Sequence, residues 1–161
     1  MVNDRCQPYQ STPTCIWCKG WESVDGSYKR GLNTKLHLAV DAHGMPIRML
    51  ITDGTTADCT QAIELIDDID AEHLLADRAY DTNEIIGYCE AKQIELVIPS
   101  KRNRTQPREH DRSLYQHRHL VENAFMHLKR WRGIATRYAK NGASFLAAIH
   151  IRCIAIWAKI S

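Results

Sequence analysis

Leu74-Leu75-Ala76-Asp77-Arg78-Ala79-Tyr80-Asp81 organises the sequence on either side of it. Its apolar run, His73 to Ala76, has the length of a strand and closes on an acid, so it reads as a buried strand ending at Asp77. An aspartate at the C-terminal end of a strand in an α/β sheet stands where such sheets bind ligands. A plain cap or turn explains the same residue. Helical patterns flank this strand. Upstream, Thr56 or Asp58 caps a helix to about Asp68, with Ala62, Ile63, Leu65 and Ile66 inward. Downstream, Thr82 caps a helix to about Lys92, and Ile94 to Ile98 is a strand closed by Pro99. Farther upstream, Leu36 to Asp41 alternates, turns through Asp41-Ala42-His43-Gly44 and returns as the strand Ile47 to Thr52. After a basic loop, Lys101 to Arg108, a long helix opens at Asp111 or Ser113, runs to about Arg132 and stops at Gly133. A last, mostly apolar helix spans Gly142 or Ser144 to about Lys159. The order is hairpin, helix, strand, helix, strand, helix, helix, which is an α/β fold with a mixed sheet.

The 161 residues suit one domain. With 44% hydrophobic and 25% charged residues, the composition excludes disorder and collagen-like repeats. No run approaches the roughly 18 apolar residues of a membrane span, and the N-terminus lacks the order of a signal peptide. A cytoplasmic, bacterial protein is expected. The six cysteines are scattered and read as free thiols rather than a disulfide framework. Charge is uneven. Asp53 to Val97 holds 12 Asp/Glu and 2 Lys/Arg, a net of −10; Lys101 to Lys140 holds 11 Lys/Arg and 3 Asp/Glu, a net of +8. A basic block this dense suits a polyanion such as nucleic acid. Two solvated faces of opposite sign account for it as well.

The long helix carries the clearest pattern. Tyr115, Arg118, Glu122 and Lys129 lie at offsets 0, 3, 7 and 14, which at about 100° per residue is a stripe roughly 60° wide. Val121, Phe125 and Leu128 form a separate apolar stripe for the core. One helix edge therefore presents a carboxylate between two cations and a phenol. An exposed Arg118–Glu122 pair at spacing i,i+4 explains part of it at a few tenths of a kcal/mol.

Taken together, these residues resemble a known family. Ala76-Asp77-Arg78-Ala79-Tyr80-Asp81 is similar to the second-aspartate motif of bacterial insertion-sequence transposases of the DDE type. Tyr115, Arg118, Glu122 and Lys129 match their C-terminal signature in register. The flanking text, Arg118 to Phe125 and Trp131 to Lys140, and also Leu32-Asn33-Thr34-Lys35 through Met45-Pro46, resembles the insertion-sequence-five group. The likeness covers about residues 31 to 161. It implies an RNase H-like mixed sheet flanked by helices. It also implies DNA transposition and recombination by metal-dependent phosphodiester transfer, with three carboxylates around two divalent ions, Mg²⁺ or Mn²⁺. On this resemblance Asp77 is the second catalytic and metal-binding carboxylate and Glu122 the third. Arg118 and Lys129 hold DNA phosphates, Tyr115 positions the substrate, and the stretch after Lys101 is a DNA track. The partners are the DNA of the mobile element's ends and target, with a homo-oligomer or pairing with full-length transposase.

The first carboxylate is missing. The family carries it on a strand before the hairpin, in a stretch like Ile-Asp-Ser/Ala-Thr/Ser, and Asp4-Arg5-Cys6-Gln7-Pro8 is unlike it. Asp41 sits where the family uses the residue structurally. The neighbouring reading frame can supply the motif. Shifted by one base, permitted codons for Asn3 to Ser23 spell Met-Ile-Asp-Ala-Ser and onward, with Arg5 as CGA and Cys6 as TGC giving GAT. Trp17 and Trp21 have one codon each, and both shift to the glycines required. Lys29-Arg30 suits an A-run followed by a G-run, where the frame recovers. Residues 1–30 are therefore expected to be an out-of-frame segment, and residues 31–161 a partial catalytic domain lacking its first strand. Cys15-Ile16-Trp17-Cys18 is then accidental rather than a zinc or redox motif. The neighbouring strands would expose unpaired edges, and the chain would tend to aggregate.

Three functions compete. The first is a transposase that is catalytically incomplete until its first carboxylate is restored. The second is a non-catalytic DNA-binding or regulatory remnant. The third is a generic RNase H-like nuclease, against which the Tyr115–Lys129 signature argues. The gene's nucleotide sequence upstream of the Lys29-Arg30 codons tests the frame. Ile-Asp-Ala-Ser is expected in the neighbouring frame, and stop codons there would make the N-terminus genuine.

Overall fold

The computed structural model describes residues 15–23 and 34–158. Strand β1 (Cys15–Ser23) is followed by the hairpin β2 (Thr34–Val40) and β3 (Pro46–Asp53). A 3-10 turn (Asp58–Gln61) leads into α1 (Ala62–Ile66), then β4 (His73–Ala76), a second 3-10 turn (Arg78–Tyr80), α2 (Asn83–Lys92) and β5 (Glu95–Val97). Helices α3 (Arg112–Gln116), α4 (His119–Lys129), α5 (Arg132–Ala135) and α6 (Gly142–Trp157) complete the chain. One mixed sheet of five strands runs in the order β3-β2-β1-β4-β5. The first three strands are antiparallel neighbours; β4 is parallel to β1, and β5 to β4. Among the described residues no helix is long and apolar enough to cross a membrane.

The expectation that the sheet lacks its first strand does not hold. Cys15–Ser23 fills that place, pairing with β2 from Trp17 to Ser23 and with β4 from Cys15 to Cys18. The physical reason is backbone pairing. Without β1, both β2 and β4 would carry a row of open donors and acceptors. The strand lies within residues 1–30, so the sheet draws on that segment whichever frame encodes it. Asp4 lies outside the described residues.

The hairpin forms as its sequence requires. Asp41 Oδ1 accepts from the backbone N–H groups of His43 and Met45, both at 2.9 Å, and Gly44 takes φ 78°, a left-handed value that favours glycine. Asp41 is thus spent on the turn. Thr82 caps α2 by accepting from Ile85 N–H, and Asn141 caps α6 by accepting from Ala143 N–H. The helix before β4 is shorter than expected: α1 begins at Ala62, and Asp58 pairs with Lys35 at 3.1 Å instead of capping it.

The long helix is broken. Asp111 does cap its start, accepting from Ser113 and Leu114 N–H. The chain then tightens at His117 and Arg118, where Arg118 N–H donates to Tyr115 C=O and Leu120 N–H to His117 C=O. Gly133 does not end the helix but sits inside α5. The stop comes earlier, at Trp131, whose extended backbone starts α5 and turns Ile134 into the core.

Two apolar cores sandwich the sheet. On one face, Val121, Ala124, Phe125 and Leu128 of α4 pack with Ile134 of α5 and Phe145, Ile149 and Cys153 of α6 over Leu36, Leu38, Val40 and Leu75. The α4 residues follow i, i+3, i+4, i+7, and each large one contributes about 1.5–3 kcal/mol. On the other face, α1 and α2 cover Ile16, Ala39, Leu74 and Ala76. The charge split therefore falls across the sheet. The acidic stretch builds the α1/α2 layer, and the basic stretch builds the loop after β5 and α3 to α5.

Asp81 pins that loop. Its side chain is 0% exposed and accepts from Lys101 N–H (2.8 Å), Arg104 Nε (2.9 Å) and Arg108 Nη2 (2.7 Å). Burial pushes its carboxyl up, but these hydrogen bonds and the two guanidinium charges outweigh burial and hold it below the usual value. The stabilisation is therefore present above the unfolded carboxylate value of about 4 and lost as pH falls through the lower folded value. Asp81→Asn is expected to cost about 3 kcal/mol in urea unfolding at neutral pH. The gap between variant and parent should close on acidification; a constant gap from neutral pH to well below pH 4 would contradict this assignment.

Candidate active site

The site lies where β4 ends and β1 continues. The parallel register stops at Cys18↔Ala76, so one residue further on Lys19 of β1 stands beside Asp77. Strand alternation fixes which way each points. Leu75 faces the α4 core, and Asp77, two residues on, shares that side. Ile16 faces the opposite core, so Lys19, three residues on, turns toward α4. Asp77 is half-buried, and its Oδ1 accepts from Ala79 N–H at 2.8 Å, capping the 3-10 turn after β4.

Helix α4 supplies Glu122 from above. Its Oε1 accepts from Lys19 Nζ at 2.9 Å and lies 3.2 Å from Arg118 Nη2. The Lys19 hydrogen bond, against a smaller opposing effect of burial and with the charges of Lys19, Arg118 and His119, holds the Glu122 carboxyl below its ordinary value. Arg118 also lies over the Tyr115 ring, 5.9 Å from its centroid, so the break between α3 and α4 leaves these two in contact. His110 meets the other part of that ring edge-on at 5.4 Å. Lys129 is held below the ordinary lysine value by burial and by the Lys19 charge.

Arg118 and Glu122 thus meet directly, with Tyr115 against Arg118. Lys129 and Lys19 feel one another's charge, and Asp77 flanks Lys19 across the strand register. Lys19 is the residue that sequence reasoning missed. It is separated from Glu122 by 103 positions, and nothing local marks it. Asp81 was also passed over, although it closes the quoted Asp77–Asp81 stretch. Within the basic loop after Lys101, Arg104 and Arg108 are both paired with Asp81.

A family model described as the transposase DDE domain matches residues 17–158. The chain belongs to the DDE transposase family. A Brucella ovis protein assigned as the transposase of insertion sequence element IS6501 is 36% identical over 129 residues, covering 78% of this chain and 98% of that one. A Burkholderia cepacia protein assigned to insertion sequence element IS402 is 27% identical over 135 residues, covering 76% and 62%. Among solved structures, the catalytic core domain of BIV integrase superposes with a TM-score of 0.55 at 15% identity, over 87% of this chain and 80% of that one. A chain of the simian T-cell lymphotropic virus intasome, in complex with the PP2A regulatory subunit B56 gamma, gives 0.56 at 16% identity, over 86% and 46%. At these identities the likeness is one of fold, and the fold is RNase H-like.

Among the described residues no group of three His, Cys, Asp or Glu is placed to hold a metal ion. The donor set does not fit a pair of divalent ions. Among the described residues the site offers two carboxylates, Asp77 after β4 and Glu122 on α4, and the Lys19 ammonium, which has no lone pair to offer, is hydrogen-bonded to Glu122. The ion pairs themselves are shallow, with Lys19, Arg118 and Glu122 side chains 34%, 37% and 38% exposed. Glu122→Gln is accordingly expected to cost under about 1 kcal/mol in urea unfolding. A loss of several kcal/mol would show that the pair is dry and structural.

Proposed function

We propose that the chain is an insertion-sequence transposase, of the insertion-sequence-five group, that binds DNA but is catalytically incomplete. The family generally works with a divalent metal. In this reading Asp77 and Glu122 are the second and third members of a carboxylate set for Mg²⁺ or Mn²⁺, and phosphodiester cutting and joining requires the first as well. The observation that carries the reading is the side-chain content of the site. Asp77 stands at the end of β4, Glu122 meets Lys19 of the neighbouring strand, and the register of β1 puts Lys19 rather than an acid beside Asp77.

The same observation favours a second reading, a non-catalytic DNA-binding or regulatory remnant. Here Arg118, Lys129 and Tyr115 keep their part in holding and positioning DNA, and phosphate contacts give affinity without sequence choice. The exposed Arg102, Arg112, Arg130 and Arg132 on the basic side extend that surface.

The test pairs fluorescence anisotropy on a labelled duplex with nicking of a supercoiled plasmid in Mg²⁺ or Mn²⁺. Binding that weakens steeply with salt, and no nicking, is the expected result. Arg118→Ala and Lys129→Ala should each lower the slope of log affinity against log salt by about 1. Metal-dependent nicking lost in Asp77→Asn would overturn catalytic incompleteness. Salt-independent binding, or none, would overturn the transposase reading.

A further inference from the structure

We propose that Lys19 is an internal substitute for the metal: its ammonium supplies at the carboxylates of this chain the positive charge that a divalent ion supplies elsewhere in the fold. The inference rests on the transposase reading and concerns the same site.

Three observations carry it. The strand register sets Lys19 beside Asp77, so the ammonium comes from the one strand that lies between β2 and the end of β4. The ammonium is committed to Glu122 at 2.9 Å, a pairing of β1 with α4. Finally, the charge count is wrong for a cation. Lys19 and Arg118 bring two positive charges to Glu122, at 2.9 and 3.2 Å, and together with Asp77 the four groups sum to zero. A divalent ion entering there would find no excess negative charge and would have to displace the lysine from Glu122. The site is therefore expected to meet a phosphodiester anion without a metal beside it.

The consequence is metal-free function of the binding face. DNA binding by this chain should be the same in EDTA as in Mg²⁺ or Mn²⁺, and the folded state should not depend on either ion.

The experiment is a calorimetric Mn²⁺ titration of the full chain, with thermal melting in EDTA and in Mn²⁺ as a second readout. The parent chain is expected to show no Mn²⁺ site at micromolar to low millimolar concentrations and no shift in Tm. Lys19→Asp is expected to gain Mn²⁺ affinity by roughly a hundredfold, because it exchanges a positive for a negative charge at the site, and to lose the gain when combined with Asp77→Asn. Should Lys19→Asp fail to fold, Lys19→Gln keeps a similar reach without the charge and should raise Mn²⁺ affinity by roughly tenfold. Micromolar Mn²⁺ binding by the parent chain that Asp77→Asn abolishes would overturn the proposal. So would unchanged affinity in the folded Lys19 variants. Duplex anisotropy run alongside in EDTA and in Mg²⁺ separates the two ideas. No DNA binding in either would sink the transposase reading, binding that requires the metal would overturn the Lys19 proposal, and the Mn²⁺ titration judges Lys19 by itself.

Discussion

The pairing of β1 between β2 and β4 is the constraint on which the rest of the structure depends. Its two edges are satisfied unequally. On one side the ladder runs to Ser23, and on the other it ends at Cys18 because β4 ends at Ala76. That difference in length leaves β1 without a β4 partner beyond Cys18. Lys19 and Asp77 stand there because strand alternation and register leave no other placement. α4 is fixed over the sheet by its apolar stripe, which in turn points Glu122 at Lys19. Sheet pairing, helix packing and the site's charge thus form one chain of cause.

The arrangement also explains why the basic side of the molecule matters. The sheet separates an acidic helical layer from a basic one, so a polyanion meets favourable potential on one side only. Part of that positive charge is already spent. Arg104 and Arg108 are bound to the buried Asp81 and so hold the loop in place. Lys19 and Arg118 in turn are paired with Glu122. In this chain a lysine, Lys19, stands against the Glu122 carboxylate.

Local signals in the sequence were legible where the physics is local. The turn at Asp41 to Gly44, the Thr82 cap and the α4 stripe each depend on residues within a few positions of one another. Tyr115, Arg118, Glu122 and Lys129 could be read as a group for the same reason. β1 was not legible, because Cys15 to Ser23 has no clean apolar alternation and its place is set by two distant strand edges. The break at His117 and Arg118 and the early stop at Trp131 follow from tertiary packing, which brings Ile134 under Phe145. The Asp81 network and the Lys19–Glu122 pair join residues far apart in sequence, and only the folded sheet brings them together.

Hydrogen exchange resolved to single amides tests this account most directly, read along residues 15–23. The account predicts that the β1 amides are protected to the same degree as those of β2 and β4, since the central strand opens only when the sheet does. Exchange of β1 at unfolded rates, in a chain whose β2 and β4 amides remain protected, would contradict it. Lys19 would then have no fixed place beside Asp77.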